Sequence, residues 1–203
     1  MNYLAKRLDA IKPSTSAAVS QNAKALKAEG HDVIDLGLGE PDFDTPAHIV
    51  EAAYQAAKVG EKHYPPADGT AALKLEMIDK FKRDNTLSFS PSEVIVGNGA
   101  KQVIFDAFIP TLEKTSEVLL GAPYFGQYKD TVLILGGRSI VIDCPPDNGF
   151  RLTPESLEAA ITPHTRWLLL NLPSNPSGTS YGTAVFRAWR CNPPPSARVG
   201  YVG

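Results

Sequence analysis

The sequence predicts an α/β fold built on a mainly parallel sheet flanked by helices. Three observations predict it. Short apolar runs alternate with helical patterns between residues 93 and 171, and strands separated by helices pair in parallel. The turns that leave those runs are rich in Gly, Pro and Asn, as at Gly97-Asn98-Gly99 and Pro173-Ser174-Asn175-Pro176. Loops of that composition sit at the carboxyl ends of buried strands. Finally, Trp167-Leu168-Leu169-Leu170 shows no polar alternation, which is the pattern of a strand covered on both faces.

Taken in order, the first helix is expected over 16–29, stopped by Gly30 in the left-handed conformation common at helix ends. A short strand over 33–36 runs into the glycine-rich loop Gly37-Leu38-Gly39-Glu40-Pro41-Asp42-Phe43. Thr45 is expected to cap the next helix, with Pro46 in its first turn and Gly60 closing it. After the loop His63-Tyr64-Pro65-Pro66-Ala67-Asp68-Gly69, a helix is expected over 70–84, with Leu73, Met77 and Phe81 on one face. Strands are then expected over 93–97, 117–121, 138–142 and 166–171, and helices over 100–112, 124–135 and 154–161, the last capped by Thr153. Residues 186–203 carry three consecutive prolines, Pro193 to Pro195, and show neither helical nor strand period, so they are expected to stand outside the pattern. No internal repeat is visible.

Composition narrows the function classes. The chain has 203 residues, a net charge of −2, 43% hydrophobic and 21% charged residues. A domain of that size can bury roughly 70% of its unfolded surface, and the charge balance points away from nucleic acid and membrane surfaces. Residues 1–10 contain no signal-peptide apolar core, and no apolar run approaches a membrane span. Cys144 and Cys191 form no CxxC and are expected to be reduced thiols in a cytoplasmic protein. The four histidines show no metal spacing, so no metal is expected. Lys58, Lys62 and Lys74 read as solvated charges, His63 as structural or surface, and Asp42 and Asp44 as loop and cap residues.

Three turns carry candidate chemistry. Gly97-Asn98-Gly99-Ala100-Lys101 lies between an expected strand and an expected helix; free N–H groups there can hold a phosphate, although a tight turn has the same signature. Ala122-Pro123-Tyr124-Phe125 offers an aromatic at a strand end, able to stack on a flat ligand or simply to fill the core. Asn175 is presented by a Pro-Ser-Asn-Pro-Ser-Gly turn. A phosphate cradle, a ring stacker and an amide donor at one sheet edge together describe a flat, phosphorylated aromatic ligand.

At these residues the chain resembles the N-terminal half of a class I/II, pyridoxal-phosphate-dependent aminotransferase, the PLP-transferase fold type I. The resemblance runs from about Lys6 to about Tyr181 and rests on five motifs in family order: 36–43, 63–69, 97–102, 123–125 and 171–178. It implies a partial large-domain sheet and an incomplete small domain. The expected division is an arm and part of the small domain over 1–45, part of the cofactor-binding large domain over 46–185, and an aberrant tail over 186–203. It implies amino-group transfer between an amino acid and a 2-oxo acid, with pyridoxal 5′-phosphate as cofactor and a homodimer as the assembly. By the resemblance Gly99, Ala100 and Lys101 supply the phosphate turn. Phe125 stacks on the pyridine ring, and Asn175 hydrogen-bonds its phenolic oxygen. Gly39 approaches the substrate carboxylate, with Phe125 and Asn175 also at the substrate. Tyr64 reaches the cofactor phosphate of the neighbouring subunit.

The resemblance also places an Asp for the pyridine nitrogen, a Tyr, the covalent lysine and two kinds of anchoring Arg after the Asn-Pro loop. Nothing after Gly178 matches them, so no catalytic residue is assigned, and the 203-residue chain alone is expected to have no transaminase activity. Turnover by the purified chain would refute that. The strand over 93–97 and the segment 16–36 are expected to lack part of their packing partners, and a frameshift near Ala188 is expected to explain the tail. Other readings are a non-catalytic fragment that binds a full-length aminotransferase subunit, and another reaction on the same scaffold, such as a C–S lyase. Some aspartate-using relatives place a Lys near position 109; this chain has Ile109, so the amino donor stays open.

Overall fold

The computed structural model describes residues 3–13, 15–60, 64–190 and 198–202. His63, Lys62 and Cys191 lie outside the described residues. The chain divides into two compact bodies, one holding the described residues of 1–12 and 98–203 and the other those of 13–97.

In the first body, α4 (Ala100–Phe108), β1 (Glu117–Ala122), α5 (Gln127–Ile134), β2 (Arg138–Asp143), α6 (Pro154–Ala160), β3 (Thr165–Asn171), α7 (Thr183–Arg190) and β4 (Arg198–Val202) follow one another. The strands form one sheet in the order β2-β1-β3-β4, and every pairing is parallel. β1 is central, and Leu119 stands opposite Ile140 on one side and Leu168 on the other.

Because side chains alternate along a strand, the apolar runs feed two cores. Val118, Leu120 and Leu169 pack with Ile104, Phe108 and Leu112 of the α4 region and with Tyr128 and Val132 of α5. Leu119, Leu168 and Leu170 face Ile142, Cys144, Leu152 and Leu157, with Phe186 and Trp189 of α7 packed against them. Burial on both faces is why these strands lack polar alternation. Thr153 caps α6, its Oγ1 accepting from the Ser156 amide at 3.2 Å, with Pro154 following.

Tyr181 ties the second core to the chain. Its hydroxyl accepts the Leu152 amide at 2.8 Å, and its ring meets Trp189 edge-on at 4.9 Å. Leu152 is 1% exposed, so no solvent replaces a lost acceptor. Tyr181→Phe is expected to destabilise this body by about 1–3 kcal/mol, read as a lower urea midpoint. An unchanged midpoint would show that the bond contributes nothing.

The second body holds α1 (Thr15–Ala28), α2 (Ala47–Val59) and α3 (Ala71–Asn85). α1 ends ahead of Gly30 at φ 91°, and α2 ends on Gly60, left-handed at φ 92°. Thr45 does not cap α2: the helix starts at Ala47 and Pro46 is its cap residue, without a side-chain hydrogen bond, because proline's fixed φ starts the turn one residue later. α3 is capped by Thr70, whose Oγ1 accepts from the Leu73 amide at 3.4 Å. Leu73 is 46% exposed, so the expected apolar face of α3 is only partly covered.

Several expectations are corrected. Residues 33–36 and 93–97 are not strands. The pattern is strand-like, but a strand exists only through a ladder with a neighbour, and neither segment pairs with one among the described residues. Pro91–Glu93 instead forms a 3₁₀ turn, and the Val96 amide bonds the Asp68 carbonyl at 3.1 Å. Ile34, Leu36 and Ile95 stay exposed, while Val94 is buried. α4 is shorter than the expected 100–112, and α5 starts at Gln127 rather than 124. Residues 186–203 are not wholly outside the pattern. α7 reaches Arg190, and β4 extends the sheet by parallel pairing of 198–202 with Trp167–Asn171; backbone pairing along an open edge needs no side-chain period. Lys74 is not solvated: it is 8% exposed and paired with Asp68. No helix among the described residues is long and apolar enough to cross a membrane.

Candidate functional site

The candidate residues of the first body collect where β1 and β3 end and α4 begins. Gly99 is the cap residue of α4, at φ 80° and ψ 169° with no side-chain cap hydrogen bond. That backbone combination is essentially restricted to glycine. It leaves the first-turn amides, those of Ala100 and Lys101 among them, without a carbonyl one turn back. A Cβ placed on Gly99 would meet nothing within 4 Å, so the space before the helix is open. Just upstream, the Asn98 amide donates to Gln102 Oε1 at 2.7 Å, which closes the loop onto its own helix.

β1 ends in Ala122, and Pro123, Tyr124 and Phe125 follow before α5. Phe125 is half-buried. Its ring meets Tyr128 at 5.6 Å and 72°, edge to face, and the Lys101 ammonium lies over the ring, 5.5 Å from its centroid. Tyr128 is buried, and the Asn171 side chain lines the same small hollow beside its phenol. Asn171 is the last residue of β3, and Asn175 stands in the turn beyond it. The Ala122–Pro123, Leu172–Pro173 and Asn175–Pro176 bonds are cis.

Two hollows frame these groups. A small one of about 30 Å³ is lined by Pro123, Tyr124, Tyr128, Asn171, Asn175 and Tyr181. The larger, of about 350 Å³, is lined by Ile11, Lys101, Ile104, Phe125 and Tyr128 together with polar side chains of α5. Tyr128 borders both and links them. The structure thus joins Lys101 to Phe125 directly, and Phe125 to the Asn171–Asn175 turn through Tyr128. Tyr64 and Gly39 belong to the other body. Tyr64 is fully exposed, and a Cβ on Gly39 would meet nothing within 4 Å.

Burial sets the charge state of the site. It pushes the Tyr128 phenol above its ordinary value, against the smaller opposing pull of Asn171. Tyr124 rises through burial and then through Asp130, and Cys144 through burial and then Asp143. Near neutral pH these groups stay protonated, and the Cys144 thiol is no nucleophile. Among the described residues no group of three or more His, Cys, Asp or Glu side chains is placed to hold a metal.

Tyr128 and Asn171 were not singled out from the sequence. Tyr128 stands three residues after Phe125, a spacing that brings side chains together on a turning backbone. Asn171 is the polar residue that ends an otherwise apolar strand, a position where ligand-facing groups collect.

Known proteins are similar to this chain over most of its length. A profile of the family described as aminotransferase class I and II matches residues 31–187. The aspartate/prephenate aminotransferase of Cereibacter sphaeroides is 45% identical over 188 residues, 93% of this chain and 47% of that protein. The aspartate aminotransferase of Bacillus subtilis is 43% identical over 178 residues, 88% of this chain and 45% of that protein. Among solved structures, the aspartate aminotransferase from Rhizobium meliloti superposes with a TM-score of 0.91 at 43% identity, covering 98% of this chain and 50% of that one. The Thermus thermophilus enzyme with maleate gives 0.88 at 40%, covering 93% and 50%. The chain spans about half the length of the curated relatives it matches. The fold is that part of the aspartate aminotransferase fold, and with the profile running through both bodies this chain belongs to the class I and II aminotransferase family.

Proposed function

We propose that this chain carries the phosphate turn, ring stacker and amide donor of a pyridoxal 5′-phosphate-dependent aminotransferase. The observation that carries this is the continuous assembly Lys101–Phe125–Tyr128–Asn171 at the carboxyl ends of β1 and β3, beside an uncapped helix start. The residues fit the group: open space before Gly99 accepts a phosphate, Phe125 offers a ring, and Asn175 offers an amide. The cofactor supplies the electron sink through which an amino group passes between an amino acid and a 2-oxo acid. The Ala100 and Lys101 amides hold its phosphate, aided by the helix dipole. Phe125 fixes the plane of the ring, and Asn175 donates its amide hydrogen to the phenolic oxygen. Gly39 lets a substrate carboxylate approach backbone, and Tyr64 serves the cofactor phosphate of a second subunit in a homodimer. The relatives' names support aspartate as one amino donor. A cytoplasmic location agrees with the cysteine usage.

Equilibrium dialysis of the chain against pyridoxal 5′-phosphate and unphosphorylated pyridoxal tests this. The phosphorylated form should bind about two- to thirty-fold more tightly, as an anion at a helix N-terminus gains about 0.3–2 kcal/mol. Gly99→Ala should abolish that preference, since any Cβ strains the turn. Equal affinities in the native chain would sink the phosphate turn. A second reading, that the chain docks a full-length subunit without catalysis, is favoured by the full exposure of Tyr64. Co-purification with such a subunit, lost in Tyr64→Ala, would support it.

A further inference from the structure

The Lys101 side chain is the one charged group of the assembly whose direction runs against its expected use. A lysine in the second position of a helix that opens on a phosphate would ordinarily be read as a phosphate ligand. Here its ammonium lies over the Phe125 ring, 5.5 Å from the centroid, and both side chains line the same cleft of about 350 Å³ between α4 and α5. Asp130 borders that cleft too. The ring is thus restrained twice: by the cation over it and by Tyr128 against it at 5.6 Å. Tyr128 is itself buried.

We propose that Lys101 is a positioning residue that acts through Phe125: its backbone N–H serves the phosphate turn, while its ammonium clamps the stacking ring against Tyr128 and presents that ring to a flat aromatic ligand. The role rests on the cofactor reading above. It divides Lys101 into two independent parts, a main-chain donor and a side-chain clamp. A phosphate-binding side chain and a ring-clamping side chain differ in what they discriminate. The first favours only phosphorylated ligands. The second favours any ligand that stacks, phosphorylated or not.

The test is a double-substitution cycle on the 203-residue chain, with pyridoxal 5′-phosphate and pyridoxal as probes in equilibrium dialysis. Lys101→Met should weaken both probes by the same factor, about two- to five-fold, the size of an exposed cation–π contact. Lys101→Arg should restore both, because a guanidinium also sits over a ring. In a Phe125→Leu background Lys101→Met should change nothing, since groups that act only through each other are not additive. If Phe125→Leu fails to fold, Phe125→Tyr keeps a ring and must keep the Lys101→Met penalty. A readout independent of any cofactor is the NMR shift of the Lys101 Hε protons, displaced upfield by the ring and returning to the free-lysine position in Phe125→Leu. A loss confined to the phosphorylated probe, additive substitutions, or an undisplaced Hε signal would overturn the clamp while leaving the cofactor reading intact. Failure of the native chain to bind either probe would reject the cofactor reading, and the clamp with it.

Discussion

Phe108→Ala is expected to lower the stability of the sheet-containing body by about 3–5 kcal/mol. Phe108 is 1% exposed and packs its ring on Trp167 at 5.5 Å. The Trp167 Nε1–H donates to Thr111 Oγ1 at 2.9 Å, and the Thr111 hydroxyl donates to the Ala107 carbonyl at 2.7 Å. One substitution therefore removes a buried ring and loosens the bond that anchors the end of α4 to β3. Against a total of about 5–15 kcal/mol for an ordinary domain, this is a large fraction. Because α4 carries the 99–101 turn at its other end, ligand affinity should fall together with stability. Urea unfolding followed by Trp167 fluorescence checks this. A midpoint shift worth under about 1 kcal/mol would mean that the helix is held elsewhere.

Gly69→Ala is the second large effect, in the other body. Gly69 has φ +99°, and an added Cβ would lie 2.6 Å from Val96 Cγ2 and 2.8 Å from Val96 Cβ. Two costs combine: about 1–3 kcal/mol of backbone strain for a side chain at that φ, and about 1–3 kcal/mol of overpacking. The neighbouring contacts leave little room to yield. The Asp68 carbonyl accepts the Val96 amide at 3.1 Å, and the Asp68 carboxylate is paired with buried Lys74. The expected outcome is release of the 64–69 loop from 94–97. It would be seen as faster hydrogen exchange of the Val96 amide and a lower unfolding midpoint. Adding Val96→Ala should recover the overpacking part and leave the strain. Unchanged Val96 exchange in Gly69→Ala would contradict the close approach.

The same loop has a defined acid response. The Lys74 hydrogen bond is the largest of the effects holding the Asp68 carboxyl below its ordinary value of 3.8. A carboxyl depressed on folding contributes stability that is fully present above its unfolded value and is lost as the pH falls through the folded one. Acidification below 3.8 should therefore loosen this loop, and Lys74→Met should weaken that dependence, leaving only the smaller backbone hydrogen-bond contribution.

What could be read in advance divides by range. β1 and β3 were legible because their apolar runs need cover on both faces, and that requirement is written in consecutive residues. β2, at the sheet edge with Val141 exposed, was legible from its short β-branched run between turns. Thr153, Gly30 and Gly60 were legible because caps and left-handed stops depend on one residue's chemistry. The segments 33–36 and 93–97 misled because extended backbone becomes a strand only when a neighbour completes the ladder. Lys74 misled for a related reason. Its helix offers no reason to bury it, and the reason is Asp68, six residues away across a turn. β4 gave no period, yet it lies along β3.

The sequence by itself determined the family, the parallel α/β architecture and the identities of Gly99, Phe125 and Asn175 as candidate groups. Each follows from local chemistry: a backbone angle that only glycine adopts, a ring at a strand end, an amide in a proline-bound turn. Only the tertiary structure decided that Lys101 turns to the Phe125 ring, that Tyr128 borders both hollows, and that Asn171 lines the smaller one beside it. Those contacts join α4, α5 and β3, and packing between elements is set by shape and burial rather than by spacing along the chain.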